Sequence, residues 1–396
     1  MARPRFELPE FVADPFGTLE RARATGWLAD LDISPGVLTY AAVRELLTDR
    51  RLRASFPDFL HLVGVTSGPF YDWMAMSPLN QDGPEHQRWR ALMFRAFTPR
   101  SVDRVRPFLR DLAGTLIDEF APRGSCEFMA EFADPFPSLG LCELIGVPTA
   151  DRDRFREWSN TIGLGFNLLE IPVRLAEIEA ALLQLLAYTR ELAARRRVEP
   201  RDDLVTRIAQ AAREDGWTED QAAGFIAGLV FAGHETTKNQ LGWMVGILAG
   251  HDDIWDGVAA GTLAADDVVE EVLRHRSAVT GVGRRVAEPI ERDGERLESG
   301  TQLFFSLWSA DHDEAAFPRP AELDPVANAG TPHLAFGHGL HHCLGAALAR
   351  ADLQEALSAL TARLEQPRVA EGAVWKVPAG INGPERLPIT FARRQK

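Results

Sequence analysis

The sequence feature that most constrains the fold is a loop with two glycines that runs into Cys343 and is followed at once by a helical pattern. Residues 333–350 read HLAFGHGLHHCLGAALAR. This order predicts that the Cys343 thiol lies at a helix N-terminus, where the dipole and free N–H groups favour the thiolate. The glycines permit positive φ and close approach of the backbone to a flat ligand. Because Phe336 is placed to cover one side of the sulfur, the segment predicts a thiolate able to bind iron or zinc.

Two other interpretations of Cys343 have to be weighed. A lone cysteine is most often a buried, small hydrophobic residue. Zinc is an alternative because His338, His341 and His342 lie close by. Zinc sites usually show paired ligands at short spacings, with a second pair further along the chain. The sequence has no such second pair, and zinc is therefore disfavoured.

Composition and charge describe an ordinary globular protein. The 396 residues are 45% hydrophobic and 25% charged, which excludes disordered, collagen-like and coiled-coil chains. The net charge of −14 disfavours binding to nucleic acid or to an anionic membrane surface. Three scattered cysteines favour a reducing compartment. With no signal-peptide pattern and no apolar run of ~20 residues, we expect a cytoplasmic protein.

Helical periodicity dominates the chain. Apolar residues recur at helical spacing in four segments, 102–121, 175–197, 218–248 and 343–364. Stretches with β character are fewer, namely 302–307, 388–391 and a turn-rich meander over 281–300. The polar stretch 195–203 is interpreted as a loop. Since no linker or repeat is visible, we predict a single, mainly α domain over residues 1–396 with a smaller β-rich portion.

Thr218-x-x-Gln221 resembles a capping box at the start of segment 218–248. The middle of this segment breaks the rules of a regular helix. From position 232 it reads AGHETT, which places glycine, a charge and β-branched threonine inside an apolar helix. Such a local break often marks function. The Thr236 hydroxyl can bond the carbonyl of Ala232 four residues back and loosen the ladder. This predicts a notch where dioxygen and water can sit, with a simple helix kink as the alternative.

The run Phe336-x-x-Gly339-x-x-x-Cys343-x-Gly345 is similar to the heme-binding signature of cytochrome P450. The resemblance implies the cytochrome P450 fold, with heme b (iron protoporphyrin IX) between the long central helix and the cysteine loop. It implies that Cys343 is the axial thiolate ligand of the iron, a ligand that favours O–O cleavage. Phe336 and Gly345 belong to the same cofactor site, where backbone N–H groups would tune the sulfur.

Further motifs of the family lie upstream in its order. Glu235 and Thr236 resemble its acid–alcohol pair, which implies that Glu235 relays protons and that Thr236 takes part in oxygen activation. Glu271 and Arg274 resemble its structural Glu-x-x-Arg helix. The family usually adds an arginine shortly before the heme loop, but Ala327 stands where it is expected. The resemblance therefore does not indicate which residue completes the buried ion cluster that Glu271 and Arg274 would form.

Four residues resemble the ligands of the heme carboxylates. His86 and Arg90 lie one helical turn apart and match the family's His-x-x-x-Arg, and a guanidinium can bind a carboxylate bidentately. Two solvated side chains are the simpler alternative. Arg285, in Arg-Val-Ala on a probable strand, resembles a further ligand, although its neighbour Arg284 leaves the register open. His341 resembles another.

The resemblance implies a monooxygenase that inserts one atom of O2 into its substrate. No strand–Gly-x-Gly-x-x-Gly–helix unit is visible, so electrons must come from outside. The expected donors are a small acidic ferredoxin and its NAD(P)H-dependent reductase. Arginines recur after His86, and we hypothesise that some of them form a docking patch: Arg95, Arg100, Arg104 and Arg110. An ordinary solvated face is the alternative.

The resemblance also indicates which residues line the substrate cavity. They are Gly228, Phe231 and Ala232 on the central helix, then Val279, Thr280, Gly281 and Val282, with contributions from 56–70, 160–172 and the region of Ile381 and Asn382. Most of these residues are apolar, which favours a small or medium-sized apolar organic substrate. Plain core packing is the alternative for each.

Two other functions compete with this one. A thiolate–heme sensor or binding protein without turnover would not need Glu235 and Thr236, so their presence favours the enzyme. A peroxygenase driven by hydrogen peroxide would be favoured by replacement of this pair, which is present.

Overall fold

Helices make up most of the structure. The computed structural model describes residues 5–31, 34–96, 99–167, 169–378 and 380–394. The helices are α1 (Leu8–Ala13), α2 (Pro15–Arg23), α3 (Tyr40–Leu46), α4 (Phe56–Leu62), α5 (Pro69–Met76), α6 (Gly83–Ala96), α7 (Pro99–Phe120), α8 (Pro135–Ile145), α9 (Arg152–Gly163), α10 (Ile171–Val198), α11 (Leu204–Glu214), α12 (Glu219–Leu248), α13 (Asp252–Ala259), α14 (Ala265–His275), α15 (Leu307–Ala310) and α16 (Ala346–Thr361).

The strands are short and fall into four groups. They are β1 (Arg5–Phe6), β2 (Leu28–Leu31), β3 (Pro35–Val37), β4 (Leu52–Ala54), β5 (Ser125–Glu127), β6 (Gly281–Val286), β7 (Ile290–Arg292), β8 (Glu295–Leu297), β9 (Gln302–Ser306), β10 (Leu364–Val369), β11 (Val374–Trp375), β12 (Pro384–Arg386) and β13 (Pro388–Arg393). The largest sheet has the order β1-β2-β3-β9-β6-β4, and a smaller one has the order β10-β13-β5. The pairs β7-β8 and β11-β12 stand apart. The predicted mainly α fold with a smaller β portion is confirmed.

The central helix forms as its sequence pattern predicts. Thr218 caps α12: its hydroxyl accepts from the Gln221 backbone, and the Gln221 side chain accepts from the Thr218 N–H. The helix packs against α8, α9, α10, α14 and α16. Apolar side chains on almost every side of α12 belong to the largest buried cluster of the described residues. A helix that is apolar all round is expected in such a position.

The second buried cluster lies between α3 and one face of the six-stranded sheet. Strand β6 runs antiparallel to β9, with Val282 opposite Phe305 and Arg284 opposite Leu303. Since successive side chains of a strand point to opposite faces, Val282 and Arg284 share a face, and Gly281, Gly283 and Arg285 occupy the other. This register decides which arginine of the pair is buried.

Two predicted boundaries are wrong. The predicted loop 195–203 is helical as far as Val198, because Arg196 is held by Asp203 and by the Gly146 carbonyl rather than by water. The predicted helix 343–364 begins only at Ala346 and ends at Thr361. Cys343 therefore lies in the loop that precedes α16. Within the described ranges no helix is long and apolar enough to cross a bilayer.

Candidate active site around Cys343

The loop before α16 is held by backbone hydrogen bonds. The Cys343 N–H donates to the Phe336 carbonyl at 2.8 Å, and the Gly337 N–H donates to Leu334 at 2.7 Å. Gly339 has a φ of +71°, and an added Cβ would lie 2.5 Å from the Leu47 carbonyl oxygen. Only glycine fits there without displacing backbone. The glycine predicted to shape this loop is thus required by both conformation and space.

Protein surrounds the Cys343 thiol on most sides, although the residue keeps solvent access. Burial raises the pKa of the thiol, and the Gly345 and Ala346 N–H groups together with the Arg90 charge oppose this. The N–H donors expected at the helix start are therefore present, but they lower the pKa of the free thiol by less than burial raises it. Coordination to a metal ion would deprotonate it.

One stripe of α12 is open in a helix that is otherwise packed. Ala232 is exposed and Thr236 is half-exposed, whereas Phe231, His234 and Glu235 are buried. The Thr236 hydroxyl donates to the Ala232 carbonyl at 2.7 Å, which confirms the predicted bond. A short apolar residue that is exposed in mid-helix indicates open space beside it, and the adjacent hydroxyl makes that space polar at one point.

The Glu235 carboxylate lies in a buried ion cluster. Its Oε1 accepts from Asn239 Nδ2 at 2.9 Å and from Lys376 Nζ at 3.0 Å. Lys238 pairs with the other oxygen. Burial by itself would raise the pKa of Glu235, but the charges of Lys238, Lys376 and His234 lower it to about 2. The group is therefore an anion at neutral pH.

Polar contacts continue from Lys238 toward α8 and α9. Lys238 Nζ donates to Asn160 Oδ1 at 2.6 Å, and Asn160 donates to the Asp134 carboxylate at 3.0 Å. His234 lies 3.1 Å from the same carboxylate and 3.0 Å from the Ser159 hydroxyl. The acid of α12 thus stands at one end of a chain of hydrogen-bonded side chains.

Two histidine rings, one from α6 and one from the cysteine loop, pack against each other. The rings of His86 and His341 are 4.4 Å apart, and His341 Nε2 lies 3.0 Å from Asp82 Oδ1. His86 Nδ1 is buried without a hydrogen-bond partner among the described residues. Burial lowers the pKa of His86 to about 4, with further contributions from His341 and Arg90. An acceptor such as a carboxylate would satisfy the free His86 nitrogen.

The two arginines of β6 have different surroundings. Arg285 Nε lies 3.1 Å from Asp58 Oδ2, and its side chain is 43% exposed. Arg284 is buried and donates to the Gly283 carbonyl, and no described carboxylate lies within ion-pair distance. Burial lowers the pKa of Arg284 to about 10. Its charge in turn lowers the pKa values of His86 and His341.

The Glu-x-x-Arg pair is buried as a bidentate ion pair. Arg274 Nε and an Arg274 terminal nitrogen lie 2.8 Å from the Glu271 oxygens. Asn328 Nδ2 donates to Glu271 Oε1 at 2.9 Å, and the Asp324 N–H donates to the same oxygen at 2.8 Å. Asn328 therefore supplies the third partner that is missing at Ala327.

The residues predicted for the substrate cavity fall into different surroundings. Phe231 is buried and stacks on Phe166 with ring centroids 4.1 Å apart. An added Cβ on Gly228 would lie 3.9 Å from Trp73, and one on Gly281 would collide with the Phe305 carbonyl at 2.4 Å. Val282 packs against the second buried cluster, on the opposite face of the sheet from Gly281.

The predicted arginine patch is partly neutralised. Arg104 lies 3.2 Å from Asp202, and Arg110 lies 3.0 Å from Glu355. Arg100 is exposed. The side chain of Arg95 lies outside the described residues.

Several residues of the site were not predicted from the sequence. They are Asp82, Lys376, Asn239, Asn328 and Arg350, whose guanidinium lies 4.5 Å from the Phe336 ring centroid. Asn239 lies one helical turn after Glu235, whereas the other four act across larger separations and have no local motif. Two sequence signals indicate such residues: the four-residue spacing of Glu235 and Asn239, and the position of Asn328 next to the expected arginine.

The residues present fit a heme. Cys343 provides a thiol with backbone donors beside it, and the open stripe at Ala232 and Thr236 provides space. His86 and Arg284 provide a buried nitrogen and a buried cation that lack anionic partners among the described residues. A planar ligand with two carboxylates would satisfy these groups.

Comparison with known proteins gives the same result. The cytochrome P450 family model matches residues 264–366. Luteothin monooxygenase of Streptomyces thioluteus is 34% identical over 387 residues, which cover 98% of this chain and 95% of that protein. The mycinamicin IV hydroxylase/epoxidase of Micromonospora griseorubida is 35% identical over 320 residues, 79% of each chain.

Two solved structures agree along nearly the whole chain. P450BioI, in complex with an acyl carrier protein ligated to hexadec-9Z-enoic acid, superimposes with a TM-score of 0.88, 28% identity and coverage of 97% of this chain and 100% of that one. Myxobacterial CYP267B1 in complex with myristic acid gives a TM-score of 0.86, 31% identity and 98% coverage of both chains.

The fold and these matches define an oxygen-activating heme enzyme. The chain belongs to the cytochrome P450 family, and it is a P450 monooxygenase.

Proposed function

We propose that the protein inserts one atom of O2 into a small apolar organic substrate, with electrons supplied by an external ferredoxin and its NAD(P)H-dependent reductase. The observation that carries the proposal is the Thr236 hydroxyl on the open stripe of α12, bonded to the Ala232 carbonyl at 2.7 Å beside an ionised Glu235. A protein that only binds a ligand has no need of an acid and an alcohol at adjacent positions there. Such a pair serves proton delivery.

The cofactor in this proposal is heme b. Cys343 would ligate its iron, with Phe336 and Gly345 shaping the loop around the sulfur. His86, Arg90, His341 and Arg285 would hold its carboxylates, and Arg284 supplies a further buried positive charge. Heme bound through a thiolate supplies the activation of O2.

The chain's own residues then control protons and water. Thr236 holds its hydroxyl proton toward the Ala232 carbonyl, so its oxygen is oriented by the helix. Glu235 is linked through Lys238 and Asn160 to Asp134, whose side chain is 18% exposed. This chain of side chains supports a route for protons from Asp134 to the Glu235 carboxylate, the residue before Thr236.

An apolar substrate is supported by the lining of α12 and by the relatives. Phe231, Phe166 and the glycines of α12 present aromatic and small apolar surface. The two solved relatives were crystallised with hexadec-9Z-enoic acid on an acyl carrier protein and with myristic acid. We propose that Gly228, Ala232 and Val282 bound the same cavity here, whereas Gly281 lies on the opposite face of the sheet from Val282.

The electron donor and the location of the enzyme are proposed from charge and from the supply of NAD(P)H. An acidic ferredoxin would meet positive charge, and the exposed Arg100 of the predicted arginine patch supports such a surface. We propose a cytoplasmic enzyme, where NAD(P)H is available, that binds neither nucleic acid nor a membrane.

The test is spectroscopic and comes before any substrate is known. Purified protein should carry one heme, and the reduced, carbon-monoxide-bound form should show the red-shifted band of thiolate ligation. Cys343→Ser should lose this band, whereas substitution of the buried Cys142 should not. A screen of fatty acids and macrolides by the blue shift of the Soret band should then give the substrate class.

The thiolate–heme sensor is the second candidate. It predicts the same spectrum but no product from any ligand that shifts the Soret band, even with ferredoxin, reductase and NAD(P)H supplied. If oxygen consumption yields oxygenated product, the protein is an enzyme and the sensor hypothesis is wrong.

A further inference from the structure

A lysine from the C-terminal part of the chain reaches the buried carboxylate of α12. Lys376 Nζ lies 3.0 Å from Glu235 Oε1 and 3.0 Å from Asn239 Oδ1. The Lys376 side chain is 27% exposed, whereas that of Glu235 is 6% exposed. The contact therefore joins a partly exposed segment to a buried acid.

We call residues 376–378 and 380–383, between β11 and β12, the C-terminal loop. Before the loop, Trp375 stacks on Trp243 of α12 with ring centroids 4.5 Å apart. Within it, Asn382 Nδ2 donates to the carbonyls of Lys376 and Val377 at 3.0 Å and 2.9 Å. These bonds fix the position from which Lys376 extends.

The same loop touches the segment that we propose as substrate wall. Ile381 forms a β-bridge with Val279, and the Asn382 N–H donates to the Ala278 carbonyl at 2.7 Å. The Thr280 N–H donates to the Gly380 carbonyl at 3.3 Å. One short loop thus contacts both the wall and the acid.

Glu235 is held on a different side of α12 from the open stripe. Its carboxylate packs on Gly163 of α9, where an added Cβ would lie 3.3 Å from Oε2. Ala232 is exposed and Thr236 is half-exposed. The charged and titratable groups that act on the acid are Lys238 and His234 of α12 and Lys376 of the loop. Lys376 is the one among these three that does not belong to α12, and Trp243 Nε1 of α12 donates to the Asn382 carbonyl of its loop at 3.1 Å.

We propose that Lys376 is a positioning residue through which the C-terminal loop holds the Glu235 carboxylate, and that a ligand filling the cavity displaces the loop and releases this hold. The inference rests on the proposed function, because Glu235 is its proton-relaying acid. A ligand that must break the Lys376–Glu235 contact binds more tightly when the contact is already absent. Removal of the Lys376 amine should therefore raise the affinity for such a ligand.

The experiment measures the affinity of the heme-loaded full chain for 4-phenylimidazole, which ligates iron and fills the space above it. Lys376→Met should bind this probe about five-fold more tightly or better. Arg386→Met removes a positive charge at an exposed position of β12, next to the loop, and it should bind like the wild type. Lys376→Arg should restore the wild-type affinity. Equal or weaker binding by Lys376→Met, which a merely structural lysine predicts, overturns the proposal.

Hydrogen exchange of the wild type provides a second readout that needs no variant. The Asn382 and Lys376 amides, which donate to Ala278 and Gly383, should exchange several-fold faster with the probe bound. Unchanged or slower exchange contradicts the proposal even if Lys376→Met fails to fold. A preparation without a Soret band would instead refute the proposed function. A normal spectrum with unchanged affinities would refute only the role of Lys376.

Discussion

Asn328 Nδ2 lies 2.9 Å from Glu271 Oε1, where it completes the buried pair that Glu271 forms with Arg274. An uncharged amide thus takes the place of the expected arginine. Asn328→Ala should destabilise the protein by about 1–3 kcal/mol, because a buried charged acceptor loses a donor. Urea unfolding measures the change. Val326→Ala in the same loop, where Val326 is 75% exposed, is the control and should change stability little.

Gly339 should not tolerate any side chain. Its φ of +71° and the 2.5 Å approach to the Leu47 carbonyl mean that Gly339→Ala must move backbone at the cysteine loop. We expect loss of heme during purification, measured as the ratio of Soret to protein absorbance. Gly330→Ala is the matched control, since open space surrounds Gly330 and its φ lies outside the left-handed region. Full heme content in Gly339→Ala would contradict the argument.

Sequence patterns predicted the elements with local signals and missed those that depend on distant partners. The capping box of α12 and the Thr236–Ala232 bond follow from residues three and four positions apart, and both are present. Asp82 and Lys376 have no such signal, since they meet His341 and Glu235 only after folding. The same holds for β6, where the register of paired strands rather than the local sequence buries Arg284.

Arg284 and Arg285 should respond differently to heme. Arg284 is a buried cation without a carboxylate partner among the described residues, so Arg284→Met should stabilise the heme-free protein. The same change should speed heme loss, because a heme carboxylate loses a nearby positive charge. Arg285→Met is the matched comparison and breaks the ion pair with Asp58. Transfer of heme to excess apomyoglobin measures the rate of heme loss from each of the two variants. If only Arg285→Met speeds the transfer, the carboxylate ligand is Arg285 alone.

Acid should destabilise the fold through the half-buried His275. Burial, with help from Arg276 and Arg274, lowers the pKa of His275 to about 3. Between about pH 6.5 and pH 3 the unfolded chain therefore binds a proton at this site that the folded chain does not, so stability falls as pH falls. One histidine contributes at most about 1.4 kcal/mol per pH unit in this window. His275→Gln should flatten the decline in urea melts between pH 7 and pH 4, whereas His61→Gln, at an exposed site, should not. Equal slopes for the two variants would refute this account.

The Thr236 hydroxyl should matter for coupling oxygen consumption to product rather than for stability. Thr236 is half-exposed on the open stripe, so Thr236→Ala should change the free energy of unfolding by less than about 1 kcal/mol. Without the hydroxyl, the open stripe of α12 loses its oriented proton donor, and we expect product per O2 consumed to fall about ten-fold or more while peroxide rises. Thr236→Ser keeps the donor to Ala232 and should retain most of the coupling. A Thr236→Ala enzyme with unchanged product and peroxide would show that the hydroxyl only shapes the helix, as the kink interpretation holds.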